Sequence, residues 1–439
     1  MGRLRLVLTA VTMSLAMGLV LAPTPVAAFS GFGQESADST YGQQMTFRVD
    51  LPGGAPDRLE LLLDFAGSDS TFVAAVAASD GSAQYTWDAS TSYVTPNTTV
   101  TYRWRAISGD TVSVSRPQTL LYRDDRPGLD WRSATIGDAT VNWYGGAEAQ
   151  ARRFGELSAG GAQEAEQLLG HQLNGPIDIF VYDSQADFFG ALGPGAREWT
   201  GAATYPEIRT IFMWLGGGPA SYLDTTIVHE VTHVVFHDAT QNPYHEPAKW
   251  LNEGLATWAE NQSASSQRAT VQFEAASGGL FAFPAIAEQF PIGTRGSSLS
   301  YAMGATMVQM IIDEHGRGAL ARLATAYRDG ASDDEALRAA TDMSANELYD
   351  AFYAAFGVSA PSPVEPAPLL PSDVKEPGQP AASGGEAPAG PGASAAPATE
   401  SPSTDWTDVG ALVLVAGLML AGLVVAFRVM RRVGTGDQP

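Results

Sequence analysis

A chain of 439 residues is longer than one small domain and points to two or three folded units. Its net charge of −23 speaks against nucleic acid as a partner, because phosphate binding needs basic patches. It has no cysteine, which removes thiol nucleophiles, thiolate metal sites and disulfide staples, so each domain depends on its own core.

The first 28 residues read as a signal peptide. Arg3 and Arg5 precede an apolar stretch from Leu6 to Leu21, and Val26, Ala27 and Ala28 supply small residues for cleavage after Ala28. An uncleaved anchor is the alternative, and it places the same domains outside the cytoplasm. Residues 29–128 then alternate as strands do. Met45, Phe47, Val49 and Leu51 share one face, and Val100, Tyr102, Trp104 and Ala106 share another. Turn signals such as "PGGAPD" and "TPNT" separate these runs, predicting an antiparallel β-sandwich of the immunoglobulin or fibronectin kind. Tyr102 and Trp104 are expected in its core.

Residues 129–357 read as an α+β domain with a helical C-terminal part. The strands "ATVNWY", "PIDIFVY" and "RTIFMWL" flank a helix-like segment from Gly146 to Leu169. From Ser300 to Phe356 the chain is mostly helical, broken at "EHGRG", "RDGASD" and "TDMSAN", with Ser344 and Glu347 placed as a capping box. Residues 358–405, dominated by Pro, Ala, Ser and Gly, read as a disordered tether. A transmembrane helix is expected over 406–428, centred on the 19 uncharged residues Val409 to Phe427. Arg428, Arg431 and Arg432 follow, so the tail 429–439 is expected in the cytoplasm and the bulk of the chain outside. The expectation is a single-pass protein of a bacterial cell membrane.

The chemistry centres on "HEVTH", residues 229–233. Ile227, Val228, Val231, Val234 and Val235 place it on a mostly buried helix, whose start Asp224 can cap. At about 100° per residue, His229 and His233 differ by roughly 40° around the axis, so both rings reach one point. Zinc accepts two such neutral imidazoles, and Glu230, one step around, is placed to take a proton from water. A third ligand has to lie downstream. The pattern with a third histidine is excluded, because Phe236 and Ala239 stand where it needs glycine and histidine. Glu253, in "KWLNEGLATWAE", lies twenty residues beyond His233 on what reads as a second helix. His237 and His245 are expected as surface residues or neighbours of the ligands, and His171 and His315 have no visible partner.

"HEVTH" followed at this distance by "WLNEGLATWAE" resembles the gluzincin zinc metallopeptidases, especially the peptidase MA-like family. It is more distantly similar to the aminopeptidase N family and thermolysin. The resemblance covers about residues 130–357. It implies that His229, His233 and Glu253 are zinc ligands, one Zn²⁺ per chain, with Glu230 as the general base; Trp250, Leu251 and Gly254 match the family's consensus. Tyr301 and Gly304 match a Y-x-x-G segment whose tyrosine, in the aminopeptidase relatives, stabilises an oxyanion. No Gly-x-Met-Glu-Asn segment precedes the motif, so the anchor for a free amino group is missing. Thr257 stands where thermolysin has an aspartate that holds a ligand imidazole, a task left here to Glu260 or Asp238. By the same resemblance "RTIFMWL" occupies the place of an edge strand that pairs with peptide.

The resulting expectation is a membrane-anchored extracytoplasmic zinc metallopeptidase that hydrolyses peptide bonds through a zinc-activated water, as an endopeptidase rather than an aminopeptidase. Two readings stand beside it: an inert peptidase-like cell-surface binding or adhesion protein, and a zinc amidase acting on cell-wall peptides. Stoichiometric zinc with chelator-sensitive proteolysis separates the enzyme from the binder.

Overall fold

The computed structural model describes residues 29–79, 81–193, 201–291 and 293–361. The expected signal peptide, most of the tether and the expected membrane helix lie outside them. Among the described residues no helix is long and apolar enough to cross a membrane.

The chain opens with nine strands: β1 (Glu35–Thr40), β2 (Gln44–Asp50), β3 (Arg58–Phe65), β4 (Thr71–Val76), β5 (Ala78–Ser79), β6 (Ser82–Asp88), β7 (Thr98–Ser108), β8 (Thr111–Val114) and β9 (Gln118–Tyr122). They form two antiparallel sheets, β1-β2-β6-β5 and β4-β3-β7-β8, with β9 also on β7. The period-2 pattern decides which faces meet. Met45, Phe47 and Val49 from one sheet share a buried core with Leu61, Leu63, Tyr102 and Trp104 from the other.

The third sheet combines β10 (Arg132–Ile136), β11 (Ala139–Trp143), β12 (Ile177–Tyr182), β13 (Ala202–Tyr205) and β14 (Thr210–Trp214), in the order β10-β11-β12-β14-β13. β11, β12 and β14 run parallel, and β10 and β13 are antiparallel edges. β12 and β14 are largely apolar on both faces, as a covered parallel sheet requires, whereas β11 turns Thr140 and Asn142 to one face. Ile177, Ile179, Val181, Ile211 and Met213 pack under α1 (Glu148–Leu169) and α3 (Ala220–Thr240), while Tyr182 and Phe212 face the other way, onto α2 (Gln185–Leu192). α1 lies close on the sheet because Gly155 leaves room, since a Cβ there would come within 2.7 Å of Ile136.

Here one expectation is corrected. "RTIFMWL" is β14, an interior strand with β12 on one side and β13 on the other. The edge belongs to β13, "AATY", whose small residues carry no alternating pattern and which is a strand because β14 pairs with it.

The remaining helices are α4 (Lys249–Ala259), α5 (Ser265–Ala276), α6 (Thr294–His315), α7 (Gly318–Arg328), α8 (Asp333–Thr341) and α9 (Ala345–Ala355). The breaks between α6 and α9 fall where turn residues predicted them, and Ser344 and Glu347 form the expected capping box. α4 and α6 cross at two glycines. A Cβ on Gly254 would lie 2.4 Å from the Gly304 carbonyl carbon, and one on Gly304 would lie 2.3 Å from the Trp250 carbonyl oxygen.

Polar contacts, most of them partly buried, join the N-terminal region to the third sheet and to α2 beside it. The Tyr41 and Tyr93 hydroxyls donate to the Ala191 carbonyl at 3.0 and 2.7 Å, and Asn97 Nδ2 donates to Asp178 Oδ2 and Thr210 Oγ1, both at 3.0 Å. Asp124, buried between the parts, accepts from Arg126 Nε at 2.7 Å and from the Tyr182 hydroxyl at 3.0 Å.

Candidate metal centre

α3 carries "HEVTH" on a helix buried along most of its length, with Leu223, Ile227, Val231, Val234 and Val235 in the core. Its N-cap is Pro219, so the helix starts at Ala220, four residues before Asp224. Asp224 does not cap; it sits inside the helix and faces Gln150 and Arg153. The signal that marks the start is "GGGPA", glycines followed by a proline whose φ already suits a helix entry.

His229, His233 and Glu253 converge, with one donor atom from each lying within 4.8 Å of the others. Glu253 Oε2 is 3.5 Å from His229 Nε2 and 3.4 Å from His233 Nε2. Its other oxygen, Oε1, accepts from Lys249 Nζ at 2.9 Å, so one carboxylate oxygen is tied and the other faces the two rings. Each imidazole is held from behind. His229 Nδ1 lies 2.9 Å from Glu260 Oε1, and His233 Nδ1 lies 2.7 Å from Asn252 Oδ1. Donating both Nδ1–H groups to those oxygens leaves each Nε2 with a lone pair aimed at a carboxylate oxygen. Such an arrangement lacks a positive charge at its centre, and the donor set of two imidazole nitrogens and one carboxylate oxygen fits zinc.

The electrostatics agree. Burial works against a charged His229, but hydrogen bonds to Glu253 and Glu260 outweigh it and raise its pKa up to about 10. Burial alone would raise the Glu253 carboxyl, yet the two histidines and Lys249 hold it well below the usual carboxylate range. The cluster draws a cation, whether a proton or a metal.

Of the two residues expected behind the ligands, Glu260 is there and Asp238 is not. Asp238 instead receives His171 Nε2 at 2.7 Å and the Asn174 side chain at 3.0 Å, which also gives His171 a partner. Asn252 and Lys249 were missed, although both stand in the quoted "KWLNEG"; helical spacing places them near Glu253 but does not say which one meets His233. His315 lies 4.0 Å from Glu314, away from the cluster.

Glu230 accepts from Thr204 Oγ1 of β13 at 2.5 Å, a contact with no local signature in the sequence. The Tyr301 ring lies 6.2 Å from that of His229 and packs edge-on against Phe290 at 5.1 Å. Burial, reinforced by the charges of Glu253 and Glu230, pushes the phenol well above its ordinary value, so it stays a donor.

Two cavities flank the cluster. One, of about 550 Å³, is lined by His229, Glu230, Glu260 and Tyr301, with Gly201 and Ala202 at the start of β13. The other, of about 1000 Å³, is lined by Asn252, His237 and Gln241, with Pro206 and Glu207 just past the end of β13. Three elements therefore run from one cavity to the other: β13, α3 and, in reverse, α4. His233 and Glu253 lie at the crossing. Among the described residues the outer edge of β13 pairs with no strand.

The profile of the Peptidase MA superfamily matches residues 160–356, a span that holds the whole cluster and Tyr301. No curated protein matches the chain. Among solved structures, yeast LTA4 hydrolase is 12% identical with a TM-score of 0.35, covering 74% of this chain and 66% of its own. The M1 zinc metallopeptidase from Deinococcus radiodurans is 13% identical with a TM-score of 0.33, covering 74% and 93%. BhCBM56 is 7% identical with a TM-score of 0.17, covering 20% of this chain and 88% of its own. Residues 160–356, built around a partly buried site of two histidines and a glutamate, match the Peptidase MA superfamily, and that match together with the donor set marks the chain as a zinc-dependent hydrolase.

Proposed function

We propose that the chain is a membrane-anchored, extracytoplasmic endopeptidase that holds one zinc ion and cuts within extended peptides. The observation that carries the endopeptidase reading is the pair of cavities on either side of the cluster, with β13, whose outer edge pairs with no strand among the described residues, running between them. A peptide added to that edge as a further strand runs past the cluster with chain continuing both ways. An enzyme that trims one end needs a wall and an anchor for the terminal charge, and among the described residues no lysine or arginine lines either cavity to provide one for a carboxylate. The anchor and export signals are those of the two termini.

His229, His233 and Glu253 hold the metal, with Glu260, Asn252 and Lys249 fixing their orientation. When bound, zinc polarises the scissile carbonyl and acidifies water. Glu230 takes the proton of the attacking water and passes it to the leaving amine, while Thr204 holds the carboxylate toward the peptide. Tyr301, protonated, donates to the oxygen that gains charge.

The test uses peptides blocked at both ends. The zinc-loaded chain is expected to cut them internally, and Glu230→Gln to retain zinc while losing roughly 10²–10⁴-fold in kcat. If blocked peptides resist while peptides with free amino ends lose one residue at a time, the endopeptidase reading falls.

A further inference from the structure

β13 is a weak strand in a demanding place. It has four residues, "AATY", and among the described residues it has a strand partner on one side only, β14. A short strand frays, and little in this small-residue pattern fixes its register. Yet Thr204 has to meet Glu230, and the outer edge has to stay extended for a peptide to pair with it. The two faces of β13 go different ways. Ala202 packs against the core that holds α1 and α3, while Ala203 and Tyr205 pack on the α2 side, with Tyr182 and Phe212.

The N-terminal sheets hold what the strand cannot hold alone. The loop that leads into β7 carries Tyr93 and Asn97, and both reach the same cross-strand pair. Tyr205 and Thr210 stand opposite each other in the β13–β14 ladder. Asn97 Nδ2 donates to Thr210 Oγ1 at 3.0 Å, from a backbone at φ +71° that asparagine adopts more readily than most residues. The Tyr93 hydroxyl donates to the Ala191 carbonyl at 2.7 Å and lies within hydrogen-bonding reach of the Tyr205 hydroxyl. Although Tyr93 is 38% exposed, its ring presses on the end of α2: a Cβ on Gly193 would lie 2.3 Å from Tyr93 Cε2. Just past β13, the turn between β3 and β4, Gly67 to Asp69, closes on Glu207 at the wall of the larger cavity. A Cβ on Gly67 would lie 2.4 Å from Glu207 Cγ. The end of β13 is therefore held from outside its own sheet, one residue beyond Thr204.

We propose that this loop is a positioning element of the peptidase, with Tyr93 and Asn97 holding β13 so that Thr204 meets Glu230 and the outer edge is presented to substrate. The inference rests on the endopeptidase reading and gives the N-terminal sheets a part in the reaction. Neither residue touches the reacting atoms; they act through Tyr205 and Thr210. His229, His233 and Glu253 belong to α3 and α4, so the loop leaves zinc binding alone.

The test compares the zinc-loaded full chain with its Tyr93→Phe and Asn97→Gly variants, singly and together. Phenylalanine keeps the ring and glycine keeps the left-handed backbone, so both substitutions spare the local fold. On peptides blocked at both ends the double variant is expected to lose about ten-fold or more in kcat/KM, with kcat lowered, KM raised and zinc affinity unchanged. Amide hydrogen exchange in β13 should quicken by a similar factor while α3 and α4 keep the native rates. On a Thr204→Val background the same substitutions should cost less in kcat, because the contact they protect is already gone. Native kcat/KM, unchanged exchange in β13, or an equal kcat loss on both backgrounds overturns this inference and leaves the peptidase reading standing. If the native chain cuts no peptide, the peptidase reading falls and this role falls with it.

Discussion

At the scale of single residues, the cluster is set by spacing and tuned by neighbours. The i, i+4 histidines and the distant glutamate could be read from the chain, because helical geometry fixes where side chains on one element point. What lay behind the ligands could not, since that depends on how α4 rests against α3. Thus Glu260 was anticipated, Asp238 belongs to His171 instead, and Asn252 emerged only from the fold. Asn252 fixes His233 with Nε2 toward the metal, so Asn252→Ala is expected to weaken zinc binding by about 10–100-fold. Competition with a chromophoric chelator measures this directly, and a variant that binds zinc as the native chain does would remove Asn252 from this role. Aspartate at the same position keeps an acceptor at Nδ1 and should restore most of the affinity.

At the scale of elements, strong periodicity was legible and borrowed structure was not. The strands holding Met45, Phe47 and Val49 or Val100, Tyr102 and Trp104 announced themselves, and both sets are buried as their alternation requires. β13 has no such signature, and it was β14 that read as the edge. Strand conformation in "AATY" comes from a neighbour, so no local pattern could show it. The Y-x-x-G and E-G spacings acquire a reason in the crossing of α4 and α6. Gly254 follows Glu253 directly, and Gly304 lies one turn after Tyr301, so the contact of the two glycines fixes the tyrosine relative to the ligand. Gly304→Ala forces the helices apart and is expected to destabilise the fold by about 1–3 kcal/mol, read as a lowered denaturant midpoint. Gly160→Ala, on α1 where a Cβ meets nothing within 4 Å, is the control and should not destabilise.

At the scale of the whole molecule, the N-terminal sheets and the peptidase domain are joined by buried polar groups as well as by chain. Asp124 is the centre of that joint, with Arg126 and the fully buried Tyr182 both donating to it. Asp124→Ala leaves a buried hydroxyl and a partly buried guanidinium without their acceptor, at a cost of roughly 3–5 kcal/mol. Unfolding followed by urea should then show the two parts separating in distinct steps, where the native chain unfolds them together. Nothing local marks this joint: "YRDDRPG" reads as a plain charged turn, and only the packing of β12 against it makes Asp124 a buried residue. The turn from Gly67 to Asp69 has a wider consequence. Residues 69 and 207 are far apart in sequence, yet they meet at one wall of the cleft. Surface turns tolerate changes of length and composition that a buried metal-holding helix does not. Such a division lets the wall of this cavity change through a hairpin tip while the metal-holding helix stays as it is.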